Sequence, residues 1–280
     1  MLVTLNEVLR DAQKNKYAVG LFNTVNLEMA KGVLGAAEKS RSPVIIGTAE
    51  ALLPSATLVE LAGILIGAAK RASVPVVVHF DHGLTEQLVY QAIDLGFSSV
   101  MYDCSTNGYE DNLRAVKRMT EYAHKRDVSI EAELGHVGDA GSGSHEGGGT
   151  GIFTDPYEAR EYAMETGVDA LAVSIGSAHG AYTSKPQLQF VILEEIRKQV
   201  QIPLVLHGGS GLSDNDFKTA IEKGIAKVNI FTDINMAAAK AAHDEWRAGL
   251  GMTELMPAIS MAVESEAIKK MRLFGSCGRA

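Results

Sequence analysis

The sequence predicts an α/β protein built as a single (β/α)8 TIM barrel with extra C-terminal helices. Three observations predict it. Short apolar runs and longer amphipathic runs alternate eight times along the chain. The apolar runs lack strict two-residue alternation, as expected of strands covered on both faces. Polar residues gather at the C-terminal ends of those runs, the rim where barrels assemble their sites. A length of 280 residues also admits two domains, with a doubly wound open sheet as the alternative arrangement. The barrel reading places residues 1–280 in one domain.

The expected strands, in order, are Tyr17–Asn23, Pro43–Thr48, Pro75–His82, Ser99–Ser105, Ser129–Gly135, Ala170–Gly176, Pro203–Gly209 and Lys227–Asp233. Each is rich in Val, Ile, Leu or Ala. Between them lie helical stretches such as Asn26–Ser40, Leu84–Leu95, Tyr109–Arg126, Asp155–Thr166 and Ser213–Lys223. Asp155 before Pro156, and Ser213 three residues ahead of Asp216, are good helix starts. The strand ends carry Asn23, Thr48, Asp81, His82, Asp103, Glu133, Ser177 to His179, His207 to Ser210, and Asn229 to Asp233. From Gly138 to Gly151, seven of fourteen residues are glycine. So flexible a connection cannot pack a core; residues 136–154 are expected to form a mobile loop, either a lid or an insertion without one.

Composition narrows the function classes. With 46% hydrophobic and 21% charged residues the chain can bury a core, and it reads as a soluble protein. A formal charge of −8 argues against a nucleic-acid partner. The apolar run Leu61–Ala69 is too short to span a bilayer, so no membrane association is expected. Met1 to Lys16 has helical polar spacing rather than the pattern of a secretory leader. The two cysteines, Cys104 and Cys277, lie far apart in no metal-ligand spacing, which points to a reducing cytoplasm.

His82, His179 and His207 stand at the ends of strands three, six and seven and can converge on one ion. Imidazole suits zinc, and three protein ligands leave positions free for substrate oxygens. His124 and His243, inside helices, read as structural.

The segments His79-Phe-Asp-His82-Gly83, Glu131-Ala-Glu133-Leu-Gly135, Gly176-Ser-Ala-His179-Gly180, Leu206-His207-Gly-Gly-Ser210-Gly211 and Lys227-Val-Asn229-Ile-Phe-Thr232-Asp233 resemble the class II, metal-dependent ketose-bisphosphate aldolases. That family includes fructose- and tagatose-bisphosphate enzymes, and the resemblance runs from about residue 5 to the Phe274-Gly-Ser276 tail. It implies reversible cleavage of a ketose 1-phosphate or 1,6-bisphosphate to dihydroxyacetone phosphate and an aldehyde. Zn2+ on His82, His179 and His207 would stabilise the enediolate. Asp81 matches the proton donor and acceptor at the C4 oxygen, with orientation of a neighbouring imidazole as its alternative role. Asp103 and Glu133 match a second or alternative site, for a divalent or monovalent cation; either can instead be a salt-bridge partner. Gly180, Gly208, Gly209, Ser210 and Asn229 to Thr232 (with Ile230 and Phe231) match the positions that hold dihydroxyacetone phosphate. Asn229 also matches a catalytic position at the enediolate, and Asn23 is placed to touch substrate hydroxyls. A homodimer or homotetramer is implied as well.

Some residues depart from the family pattern. Where fructose-bisphosphate members often carry adjacent glutamates, this chain reads Gly138-Asp139-Ala140-Gly141, leaving Asp139, His145 or Glu146 for the second proton transfer. Phe231 stands where some relatives have an acid, and Lys185 trails Tyr182 by more than the usual spacing. Lys269, Lys270 and Arg272 on the last helix are candidates for a distal anion, which is a phosphate, a sulfonate as in a sulfofructose phosphate, or absent. A Schiff-base aldolase needs a lysine at a strand end, whereas Lys227 is expected to begin its strand. A metal-dependent hydrolase commonly places a His-x-His pair on its first strand, and this one ends Leu21-Phe22-Asn23. A non-catalytic sugar-phosphate-binding barrel is the remaining alternative.

Overall fold

The computed structural model describes residues 1–138, 153–180 and 186–280. Residues 139–152 of the expected lid, with Asp139, His145 and Glu146, and the segment containing Tyr182 and Lys185 lie outside the described residues. Eight parallel strands pair in chain order and close into a barrel: β1 (Val19–Asn23), β2 (Val44–Ala49), β3 (Val76–Gly83), β4 (Ser99–Tyr102), β5 (Ser129–Leu134), β6 (Ala170–Val173), β7 (Leu204–Leu206) and β8 (Ile225–Ile230). Around them run α1 (Leu5–Asn15), α2 (Leu27–Ser40), α3 (Leu58–Arg71), α4 (Glu86–Leu95), α5 (Tyr109–His124), α6 (Pro156–Thr166), α7 (Phe190–Gln199), α8 (Asp214–Glu222), α9 (Thr232–Glu245) and α10 (Met252–Phe274).

The helix ends are written in the sequence. Asp155 accepts from the amides of Tyr157 and Glu158 at the start of α6, and Ser213 and Asp216 form a reciprocal capping box on α8. Gly96, Gly167 and Gly275 end α4, α6 and α10 in the left-handed conformation.

The core is two-layered. Phe22, Ile46, Val78, Phe80, Val100, Leu171, Leu206 and Val228 pack outward against the helices. Inside the barrel, Val19, Leu21, Ile45, Val77, Ala170, Ala172 and Val205 join Leu5, Val8, Leu9 and Ala12 of α1. That helix therefore plugs the N-terminal mouth and leaves the other mouth for chemistry. α10 packs against α2, α8 and β1, so it takes the eighth place in the helical ring, and α9 is the additional rim helix.

Several strands are shorter than the apolar runs suggest. β4, β6, β7 and β8 end at Tyr102, Val173, Leu206 and Ile230, so Asp103, His179 and His207 stand on the loops beyond them and Thr232 opens the following helix. The eighth strand does not reach Asp233, because the backbone of Phe231 turns (φ −132°, ψ −58°) and starts α9 at Thr232. Nor does Lys227 begin that strand; it is the third residue, with its side chain fully buried. Among the described residues no helix is long and apolar enough to cross a membrane.

Candidate active site

Neighbouring side chains of a regular strand face opposite ways. β3 breaks that rule at its end, where its pairing with β4 shifts between Phe80 and Gly83. His82 there adopts φ 43°, a left-handed conformation that costs a non-glycine residue about 1–3 kcal/mol. The irregularity brings the consecutive residues Asp81 and His82 to the same rim.

His82 meets His179 and His207 there, with ring centroids 4.7 and 4.5 Å away. One nitrogen from each ring lies within 4.8 Å of the others, a spacing that suits a single ion. Among the described residues, Nε2 of His82 and Nε2 of His179 are buried without hydrogen-bond partners, as a lone pair reserved for a metal would be. The opposite nitrogen of His82, Nδ1, lies 2.7 Å from Asp103 Oδ2, and the amide of Ser105 donates to that same carboxylate. His207 lies between two glutamates: Nδ1 is 2.9 Å from Glu133 Oε2, and Nε2 is 2.9 Å from Glu131 Oε1. Asp103 and Glu133 thus stand beside the three imidazoles, and together with His82 they make a second group of ligand geometry.

Asp81 does not join that cluster. Asn23 donates to its Oδ2 at 2.7 Å, and Asn229 donates to Oδ1 and Oδ2 at 3.0 and 3.2 Å. Beneath it sits His79, with Nε2 3.6 Å from Asp81 Oδ1 and Nδ1 2.8 Å from Ser99 Oγ. Burial pushes the Asp81 carboxyl up, but the charge of His82, the close approach of His79 and the charge of Lys227 outweigh it and hold it well below the usual carboxylate range. Burial and the charges of His82 and His207 hold His179 down to about 4, a neutral imidazole.

His207 goes the other way. Burial lowers it, yet its bonds to Glu131 and Glu133 prevail and raise it to about 10. In metal-stripped protein this charged ring stabilises the fold fully below about 6.5, its ordinary value, and the contribution is lost as pH rises through about 10. A metal held by this ring would have to displace that proton. Uptake at neutral pH is expected to release a proton, and the apparent affinity to weaken as pH falls, by up to about tenfold per pH unit. Calorimetry in two buffers of different ionisation enthalpy checks this.

The loops after β6, β7 and β8 converge on the same mouth. Gly208 has φ 65°, and a Cβ there would lie 2.2 Å from the carbonyl oxygen of Ala178, next to His179. Gly208→Ala is expected to cost about 1–3 kcal/mol and to disturb both histidine loops, checked as a lowered Tm with weakened metal binding. Gly180 has φ 90°, and no described residue would lie within 4 Å of a Cβ there. Ser210 is buried, and its Oγ accepts from the Phe231 amide at 3.4 Å. Thr232 opens α9, whose N-terminus carries no side-chain cap, so its first amides remain donors for an anion. The side chain of Ile230 packs in the outer core, which leaves only its main chain for a ligand. Of the distal-anion candidates, Lys270 pairs with Asp233 at 2.6 Å, and Lys269 with Glu266 at 2.9 Å.

Reading only the strand ends misses the next layer down. His79, Glu131 and Lys227 lie two residues before Asp81, Glu133 and Asn229, on the same face of their strands. Counting back by two from the polar rim residues finds them.

Comparison with known proteins agrees with this geometry. Residues 3–279 match the family model described as fructose-bisphosphate aldolase class-II. The chain is 40% identical to the fructose-bisphosphate aldolase of Geobacillus stearothermophilus, over 100% of this chain and 99% of the relative. Against the corresponding enzyme of Staphylococcus aureus strain N315 the identity is 38%, again over 100% and 99%. Among solved structures, the YdjI aldolase from Escherichia coli K12 superposes with a TM-score of 0.90 at 38% identity, covering 100% of both chains. The family is generally metal-dependent, and this barrel carries groups that can hold a metal. By fold, by motif and by match over nearly its whole length, the chain belongs to the class II fructose-bisphosphate aldolase family and is an aldolase, a lyase.

Proposed function

We propose that this aldolase reversibly cleaves a ketose 1-phosphate or 1,6-bisphosphate to dihydroxyacetone phosphate and an aldehyde, with zinc held by His82, His179 and His207. The observation that carries the reading is the convergence of three imidazoles, two with orphaned buried nitrogens, beside an ionised Asp81 that lies outside their cluster. A bound zinc ion supplies Lewis-acid polarisation of the substrate carbonyl.

The chain's own residues do the rest. Asp81 takes the proton from the C4 hydroxyl as the C3–C4 bond breaks, and returns it in the condensation direction. Asn23 and Asn229 fix its carboxylate, and Asn229 also faces the carbons left behind. Gly180, Gly208, Gly209 and Ser210, with the amides from Asn229 to Thr232, hold the 1-phosphate by main-chain and hydroxyl donors. Asp103 and Glu133 offer the alternative position for an ion, and the second proton transfer falls to residues 139–152. The barrel works as one domain over residues 1–280, as a homodimer or homotetramer, in a cytoplasm that keeps the unpaired Cys104 and Cys277 reduced.

A cleavage screen tests this. Metal-stripped and zinc-loaded protein is offered fructose and tagatose 1,6-bisphosphates, ketose 1-phosphates without a distal charge, and sulfofructose 1-phosphate. Release of dihydroxyacetone phosphate is followed by a coupled assay. Zinc-restored cleavage of at least one substrate is expected, and zinc-loaded protein that cleaves none overturns the reading. Sedimentation velocity tests the oligomer; a monomer at working concentration removes it.

A further inference from the structure

Below the rim, the barrel interior carries a buried ion pair that the proposed reaction does not use. The Nζ of Lys227 on β8 lies 2.9 and 2.8 Å from the two carboxylate oxygens of Glu131 on β5, and both side chains are fully buried. Burying such a pair gains little stability over an apolar filling of the same volume, so stability alone is a poor reason for it. Apolar filling is what the layer beneath uses, with Val19, Ile45, Val77 and Val205.

The pair leads to the metal centre. Glu131 Oε1, which touches Lys227, also lies 2.9 Å from Nε2 of His207. An ionised carboxylate only accepts hydrogen bonds, so the imidazole nitrogen facing it carries the hydrogen. The other nitrogen, Nδ1, faces Glu133 and the neighbouring ring of His82; an ion would take the place of the proton there, while Glu131 keeps the hydrogen on Nε2. His82 shows the same device from the opposite side, with Nδ1 tied to Asp103 and Nε2 left for an ion. The difference is what holds each carboxylate. The Ser105 amide holds Asp103, and Lys227 holds Glu131 from inside the barrel.

We propose that Lys227 is a positioning residue for the metal centre: by gripping both oxygens of Glu131 it locks the ring of His207 with Nε2 as donor and Nδ1 turned to the ion. The inference rests on the reading of the three histidines as metal ligands. Without Lys227 the Glu131 side chain is free to turn, and the ring it holds loses its single orientation.

The test compares wild-type protein with Lys227→Met and with the double variant Lys227→Met, Glu131→Gln, which buries no unpaired ion if the single variant fails to fold. Zinc affinity is measured by competition with a chromogenic chelator, beside the Tm of the metal-stripped proteins and the imidazole 15N shifts of His207 in the zinc-loaded proteins. Affinity is expected to fall about ten- to hundredfold in the variants, with loss of the single Nε2–H form of His207. Folded variants that bind zinc as tightly as wild type, with a lowered Tm alone, make Lys227 a structural residue and overturn the inference. Wild-type protein that binds no zinc overturns the metal-site reading itself, an outcome visible before any variant is compared.

Discussion

Asp81→Asn is expected to lower the rate of carbon–carbon cleavage by about 10²- to 10⁴-fold while leaving bound metal unchanged. The two effects separate because Asp81 makes no hydrogen bond to His82, His179 or His207; its partners are Asn23 and Asn229. Both asparagines approach with amide donors, which an ionised carboxylate satisfies and a carboxamide satisfies only in part. Some loss of stability, of about 1–3 kcal/mol, is therefore expected alongside the kinetic defect. Single-turnover cleavage, metal content by atomic emission and Tm distinguish them. A variant with near wild-type turnover would show that Asp81 orients its neighbours rather than moving a proton.

His179→Ala is expected to have the larger effect on metal, lowering affinity by more than about 10²-fold and taking turnover to background. Its Nε2 is buried with no hydrogen-bond partner among the described residues, so truncation breaks no bond to them at that atom. The metal-stripped variant should keep the wild-type circular dichroism and a Tm close to that of metal-stripped wild type. Full activity in a variant that holds no metal would falsify the metal-centre assignment. A variant that unfolds would point instead to a packing role for the ring, and His179→Gln then repeats the test with a similar volume.

Much of this site was legible in the chain before any coordinates. Eight apolar runs with polar ends implied the barrel, and the polar ends proved to be its open mouth because α1 plugs the other one. The histidines were findable because each lies at or beyond the C-terminal end of a different strand. What stayed hidden depends on register and on distant pairing. The shift at the end of β3 leaves no mark on the hydrophobic pattern, since Val76 to Phe80 read the same with or without it. Glu131 and Lys227 meet across 96 residues of chain, and their charges look like ordinary surface charges until the barrel closes. The shortened eighth strand was hidden for a third reason. Ile230 and Phe231 are good strand formers, and only the turned backbone of Phe231 shows where extension stops.

The irregular end of β3 has a mechanical side. Asp81 and His82 are joined by one peptide unit, so their Cα atoms stay about 3.8 Å apart whatever the rest of the barrel does. The other two imidazoles hang from separate strands, and breathing of the sheet can carry them toward or away from His82. Motion that separates the three imidazoles therefore leaves the main-chain span between Asp81 and His82 unchanged. In this chain that span is a covalent constant, insulated from the fluctuations that move the three rings relative to one another.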